Sequence, residues 1–202
     1  MTSPSEASTA VAAFVARLPQ RLLLYDGTCA LCDATAHFVF ARTKKAPAAR
    51  IVMMCPQQSD AVASLYTLFP QLKEHDTIYF VSCTPTAPAA DATVWSRLVK
   101  FAHGTPDFSA QVADADGKRY DVDVRLRSNA ALHVALCFDW LAARAAAVVL
   151  LLLVPRLLAD AVYKYVAAHR YQWFGKITGE KATASCQRPP PGLRIRAWPP
   201  KS

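Results

Sequence analysis

Charge is scarce in this sequence. Only 19% of the 202 residues are Asp, Glu, Lys or Arg, against 53% hydrophobic, a balance that excludes an intrinsically disordered chain. Long apolar runs are also absent. The longest uncharged one, AAAVVLLLLVP at 145–155, lies between Arg144 and Arg156 and falls short of the roughly 20 residues that a membrane-spanning helix needs. Extending it backward brings in Arg144 and Asp139, both costly in lipid. A buried core helix is expected there, with a helix lying in a membrane interface as the second option. The opening stretch MTSPSEASTAVAAFVARLPQ has no basic segment ahead of its apolar one, so no secretory signal is expected. Its Ser, Thr and Ala, with Arg17 and Arg21 nearby and the single acid Glu6, admit a mitochondrial address. The expected compartment is the cytoplasm, with the mitochondrion as alternative.

Cysteine is sparse and, with one exception, dispersed. The six lie at 29, 32, 55, 83, 137 and 186, unlike the dense framework of a small secreted domain. No second Cys-x-x-Cys pair exists, and His37, His75, His103, His133 and His169 include no His-x-x-x-His. The paired ligand clusters usual in a zinc site are therefore missing. A dense basic run is missing too, although the formal net charge is +8. The tail QRPPPGLRIRAWPPKS (187–202) supplies Arg188, Arg194, Arg196 and Lys201 with no acid. It reads as a solvated, polyproline-like extension, the alternative being a strip for an acidic partner or a membrane surface. A membrane-surface contact is thus admitted but not expected. No motif supports nucleic-acid binding.

What is present is a regular alternation. RLLLYDG (21–27) is a short apolar run closed by Asp-Gly, the pattern of a buried strand. From Cys29 to Arg42, apolar residues at 31, 34, 38 and 39 predict a helix. RIVMMC (50–55) is a second strand stopped by Pro56, and SDAVASLYTLF (59–69) a helix with Ser59 as N-cap. TIYFVS (77–82) is a third strand and KRYDVDVRL (118–126) a fourth. Between them, about 84–116 is Pro- and Ala-rich and reads as an insertion with one helical stretch near 93–103. A helix follows from Ser128 as N-cap, and another from Pro155 to about Tyr171. The expected organisation is an N-terminal extension (1–20), one α/β domain of thioredoxin-like fold (21–186) with additional C-terminal helices, and the tail.

The pair in YDGTCALCDA then acquires a setting. A strand–helix–strand unit requires a parallel pair of strands, and Cys29 and Cys32 fall where the first helix opens. Helix N-termini present unpaired N–H groups and partial positive charge, which favour a thiolate, the form that attacks disulfides. Cys29 is expected to be exposed and to attack, with Cys32 one turn inward resolving the mixed disulfide. Asp26 is either the proton acceptor for Cys32 or simply a turn residue. An antiparallel third strand would bring Asp76, Thr77, Arg127, Ser128 and Cys55 to the same end of the sheet and send Cys83 to the other. Arg127 and Ser128 are the candidate substrate-binding residues; a guanidinium near Cys29 would favour its thiolate, and the alternative for Arg127 is a solvent-facing strand end. A metal site of Cys29, Cys32, Cys55 and Cys83 would have to join opposite ends of the sheet. Cys137 falls in an apolar helix and is expected in the core.

Three blocks in order, YDGTCALC, LRSNAAL (126–132) and VPRLLADAVYKYVAAHRYQWFGK (154–176), resemble the DCC family of predicted thiol-disulfide oxidoreductases, named for its Asp-Cys-Cys motif. The resemblance runs from about Arg21 to Cys186. It implies a thioredoxin-like fold and a redox-active Asp26, Cys29 and Cys32. It also maps an Arg-Ser element onto Arg127 and Ser128, and the C-terminal block onto Asp160, Tyr163, Arg170, Trp173 and Gly175. Cys186 matches a cysteine often found after that block. The chain departs at Ala159, where the family has Arg, at Ala30-Leu31, where many members have a proline, and before the third strand, where the thioredoxin cis-proline is not evident. The implied partner is a disulfide- or thiol-containing protein or small molecule. Exchange itself needs no cofactor. The alternative function is a metal-binding or redox-sensing adaptor that uses the same cysteines.

Overall fold

The computed structural model describes residues 4–43, 47, 50–74, 77–86 and 105–177. Asp76, Cys186, the helical stretch expected near 93–103 and the tail lie outside them. The described elements are α1 (Pro4–Arg17), β1 (Arg21–Tyr25), α2 (Ala30–Thr43), β2 (Met53–Pro56), α3 (Ala63–Leu68), β3 (Tyr79–Pro85), β4 (Phe108–Ala113), β5 (Arg119–Leu126), α4 (Arg127–Ala135), α5 (Leu141–Leu153) and α6 (Arg156–Phe174).

The strands form one five-stranded sheet in the order β2-β1-β3-β5-β4. β1 and β2 are parallel, with Leu24 beside Cys55; β3 runs antiparallel to β1, with Leu24 beside Tyr79, and to β5, with Tyr79 beside Leu126. The end of β1, the end of β2, the start of β3 and the end of β5 therefore meet at one edge, as the strand pattern implied. Cys83, whose amide donates to the Gln20 carbonyl at 3.1 Å, is at the opposite edge.

Alternation along the strands divides the core into two layers. Leu22, Leu24, Cys55, Tyr79, Val81 and Cys83 face one side, where Phe14, Val15 and Leu18 of the N-terminal segment and Leu65 of α3 cover them. The segment expected as an extension thus packs into the core through α1. Leu23, Tyr25, Met54 and Phe80 face the other side, against Cys29, Cys32, Ala36 and Val39 of the α2 segment and Ala130 and Val134 of α4.

Three expectations need correction. The segment read as an insertion contributes an edge strand: β4 pairs with β5 from Phe108 beside Val124 to Ala113 beside Arg119. Its residues alternate as a half-exposed strand should, but they follow the Pro- and Ala-rich stretch and were read with it. The helix expected from Ser128 is two helices, because the chain breaks after α4 where the Asp139 amide donates to the Arg42 carbonyl at 2.7 Å. Ser128 does not cap it; Leu126 occupies the cap position, and the Ser128 hydroxyl is directed elsewhere. The third concerns α5. It is not a buried core helix: Ala147 is its one fully buried residue, while Val149, Leu150, Leu152 and Leu153 are exposed. Apolar composition alone does not say which side of a helix meets protein.

Candidate functional site

β1 ends in the turn Asp26–Thr28, and Cys29 immediately precedes the first residue of α2. That is the position from which a side chain accepts a hydrogen bond from the free N–H groups of the first turn. The Cys29 sulfur does so: the Cys32 amide donates to Sγ at 3.4 Å, and the Asp33 amide donates to the Cys29 carbonyl at 3.0 Å. Burial pushes the Cys32 thiol up, and the hydrogen bond and charge of Cys29 push it further, against an opposing pull from Arg170. Cys32 is therefore held as the neutral thiol.

The expected exposure of Cys29 is overturned: it is 0% exposed, and Cys32 is 6% exposed. The reason is a short strap after α6. Gly175, with φ of 78°, adopts a left-handed conformation that glycine takes without steric cost, and its amide still caps the helix on the Tyr171 carbonyl at 3.1 Å. The next residues cross the Cys29 backbone. Lys176 forms an isolated antiparallel bridge with Cys29, the Ile177 amide donates to the Thr28 carbonyl at 2.9 Å, and the Ala30 amide donates to the Gly175 carbonyl at 3.5 Å.

Asp26 is buried and heavily used. Its Oδ1 accepts from the Thr28 amide at 2.9 Å, the Thr28 hydroxyl at 2.7 Å and Gln58 Nε2 at 2.9 Å. Oδ2 accepts from the Tyr171 hydroxyl at 2.5 Å and from Arg170 at 3.3 Å, a buried ion pair. Burial alone would raise the carboxyl's pKa. The hydrogen bonds from Tyr171, Thr28 and Gln58 outweigh it and hold the group below its ordinary 3.8. Gln58 also accepts from the Gly27 amide at 3.1 Å, so β2's exit, the Cys-x-x-Cys turn and α6 are tied at one carboxylate.

A second tie lies beside it. The Tyr163 hydroxyl accepts from the Thr77 hydroxyl at 3.0 Å and from the Ile78 amide at 3.2 Å, joining α6 to the entry of β3. Burial raises the Tyr163 pKa, against the hydrogen bonds with Thr77 and Ile78, which lower it.

The remaining sequence-derived residues divide clearly. Thr77 is at the site edge. Cys55 shares that edge but faces the opposite layer from the pair, and burial pushes its thiol up to about 11. Cys137 is in the pair's layer but donates to the His133 carbonyl at 3.4 Å, and burial raises it as well. Ser128 is buried and donates to Asp160 at 2.5 Å, locking α4 to α6. Asp160 also lies 3.9 Å from Arg156, whose other partner is Asp107. Arg127 opens α4 with φ of 52°, an unusual conformation for a residue with a side chain. A cleft of about 170 Å³ touches Ser128, Asn129, Leu132, Leu150 and Arg156; neither thiol lines it. Among the described residues no group of three or more His, Cys, Asp or Glu converges as metal ligands.

Gln58 and Tyr171 are the site residues that sequence reasoning missed. Neither carries a local signal: Gln58 sits in a polar turn, and Tyr171 meets Asp26 across a separation of 145 residues. Set beside known proteins, the chain is 27% identical over 183 residues to the uncharacterized protein YuxK of Bacillus subtilis (strain 168), an overlap covering 91% of this chain and 97% of the relative. No protein-family model matches the sequence, and no solved structure matches it.

Proposed function

We propose that this chain is a thiol-disulfide oxidoreductase of thioredoxin-like fold, in which Cys29 attacks and Cys32 resolves. The observation that carries the reading is the amide of Cys32 aimed at the Cys29 sulfur at the mouth of α2, a donor suited to a thiolate there. The topology supports it. A parallel β1–β2 pair is followed by antiparallel β3 and β5, with α2 and α4 on one sheet face and α3 on the other. The resemblance to the DCC family over the Asp26, Cys29 and Cys32 motif points the same way.

In the forward direction the Cys29 thiolate attacks one sulfur of a substrate disulfide, and the other leaves as a thiolate and takes a proton. Cys32 then loses its proton and attacks the Cys29 sulfur, displacing the second substrate thiolate, which is protonated in turn. Substrate gains two electrons and two protons; the protein pair becomes a disulfide, and a dithiol reductant restores it. The raised pKa of Cys32 suits a resolving thiol that stays protonated until the mixed disulfide forms. Asp26 is a poor proton acceptor, since its carboxylate is held below the ordinary range by four neighbouring groups. Its role in this reading is to position the turn.

The test is a redox titration in glutathione or dithiothreitol buffer, with thiols trapped for mass spectrometry and zinc assayed on the same sample. The expected result is a reversible Cys29–Cys32 disulfide with a potential within the roughly −270 to −120 mV span of known oxidoreductases. Bound zinc released only when the pair is blocked would replace the reading with a metal-holding adaptor.

A further inference from the structure

Among the described residues, nearly all the exposed large apolar side chains lie on or beside α5 and α6. Val154 and Pro155 separate two helices whose axes differ by 118°, and the large apolar side chains on both flanks point outward. Leu153 is 75% exposed and Leu157 88% exposed; Leu152, Leu158, Val162 and Tyr165 extend the patch along both helices. Single exposed leucines are ordinary, but a contiguous set marks an interaction surface.

Charge indicates what covers it. Residues 141–202 contain ten Lys and Arg against two Asp and Glu, whereas residues 1–140 contain thirteen of each. The whole formal charge of +8 therefore belongs to the part of the sequence that begins with α5. On the two helices and the strap, the acids reduce to Asp160, which is engaged by Ser128 and Arg156. Lys164 of α6 reaches solvent, Arg144 of α5 is half-buried, and Lys176 lies over the Tyr171 ring.

We propose that this corner docks the protein on an anionic lipid bilayer, with the leucines entering the headgroup–acyl boundary and the basic residues meeting lipid phosphates. No described helix is long and apolar enough to cross a membrane; the geometry is that of helices lying in the interface, where an apolar face and cationic flanks act together. Trp140 and Trp173, both exposed, sit at the far ends of the pair, as amphipathic rings do at the headgroup level. A second copy of the chain would bring like charge to the same surface. Side chains as exposed as Leu153 and Leu157 stand clear of their neighbours, which suits a fluid that fills around them better than a preformed groove.

Two vesicle preparations test this, phosphatidylcholine alone and phosphatidylcholine with about a quarter phosphatidylglycerol, each sedimented with the full chain and with Leu153→Asp/Leu157→Asp. Both changed positions are solvent-exposed, and circular dichroism checks that the fold persists. Quenching of tryptophan fluorescence by brominated lipid gives a readout on the unaltered chain. The expected result is binding to the anionic vesicles, lowered at least about tenfold by the double substitution and weakened by salt, with quenching on binding. Equal binding by both proteins would assign the contact to the basic tail and overturn the corner's role. A dimer dissolved by the substitutions, without vesicle binding, would assign the surface to a second copy. Failure of the unaltered chain to bind anionic vesicles would overturn the proposal outright.

Discussion

Tyr171 donates its hydroxyl hydrogen to Asp26 at 2.5 Å, joining the last long helix to the turn that carries the cysteine pair. The carboxylate is buried, so the donor matters: hydrogen bonds to charged groups contribute about 1.5–3 kcal/mol. Tyr171→Phe should lower the unfolding free energy at neutral pH by about 2 kcal/mol. Because the folded pKa of Asp26 lies below its ordinary 3.8, this stabilisation is present above that value and is lost as pH falls through the folded pKa. Urea unfolding at pH 7 and again below pH 3.8 checks this. The gap between wild type and variant should be full at the first and shrink at the second; a gap that stays constant would place the effect in packing.

The strap sets the accessibility of the attacking sulfur. Ile177 supplies the amide that holds the strap to the Thr28 carbonyl, so Ile177→Pro removes that donor without touching either thiol. Alkylation of Cys29 by iodoacetamide, followed by mass spectrometry, should speed up several-fold while the far-ultraviolet spectrum stays unchanged. An unchanged rate would mean that Cys29 is reached by opening of α2, with the strap a bystander.

How much of this was legible beforehand depends on where each signal lies. RLLLYDG and TIYFVS gave β1 and β3 because short apolar runs hold their information locally, and the parallel pairing of β1 with β2 followed from a connection rule. β4 was missed because FSAQVA, although it alternates, follows a Pro- and Ala-rich stretch and was read with it as an insertion. The pair was legible at once; its burial was not, because the residues that cover it are Gly175–Ile177, about 145 positions downstream. Arg170 and Tyr163 came into view only through a family resemblance; in the structure they tie α6 to Asp26 and to Thr77.

The other thiols give a control. Cys55 and Cys83 face the layer opposite the pair, and burial pushes both up to about 11. Cys55→Ser and Cys83→Ser should leave the midpoint of a redox titration unchanged, whereas Cys29→Ser or Cys32→Ser should abolish the transition. Mass-spectrometric disulfide mapping across the titration makes the comparison. A disulfide that includes Cys55 would require β2 to turn over, contrary to its register with β1.

Ser128 separates a structural role from a substrate-binding one. Its hydroxyl is buried and committed to Asp160; Asp160's other partner among the described residues is Arg156, at a longer 3.9 Å. Ser128→Ala leaves a mostly buried carboxylate short of a donor, which costs about 1.5–3 kcal/mol. In a chain of this size a loss of that order lowers Tm by several degrees. If Ser128 does no more than hold α4 against α6, the variant melts earlier and reduces a model disulfide with unchanged KM. A raised KM with an unchanged Tm would restore the substrate-binding assignment. The two roles thus predict opposite pairs of results, and calorimetry together with a single assay distinguishes them.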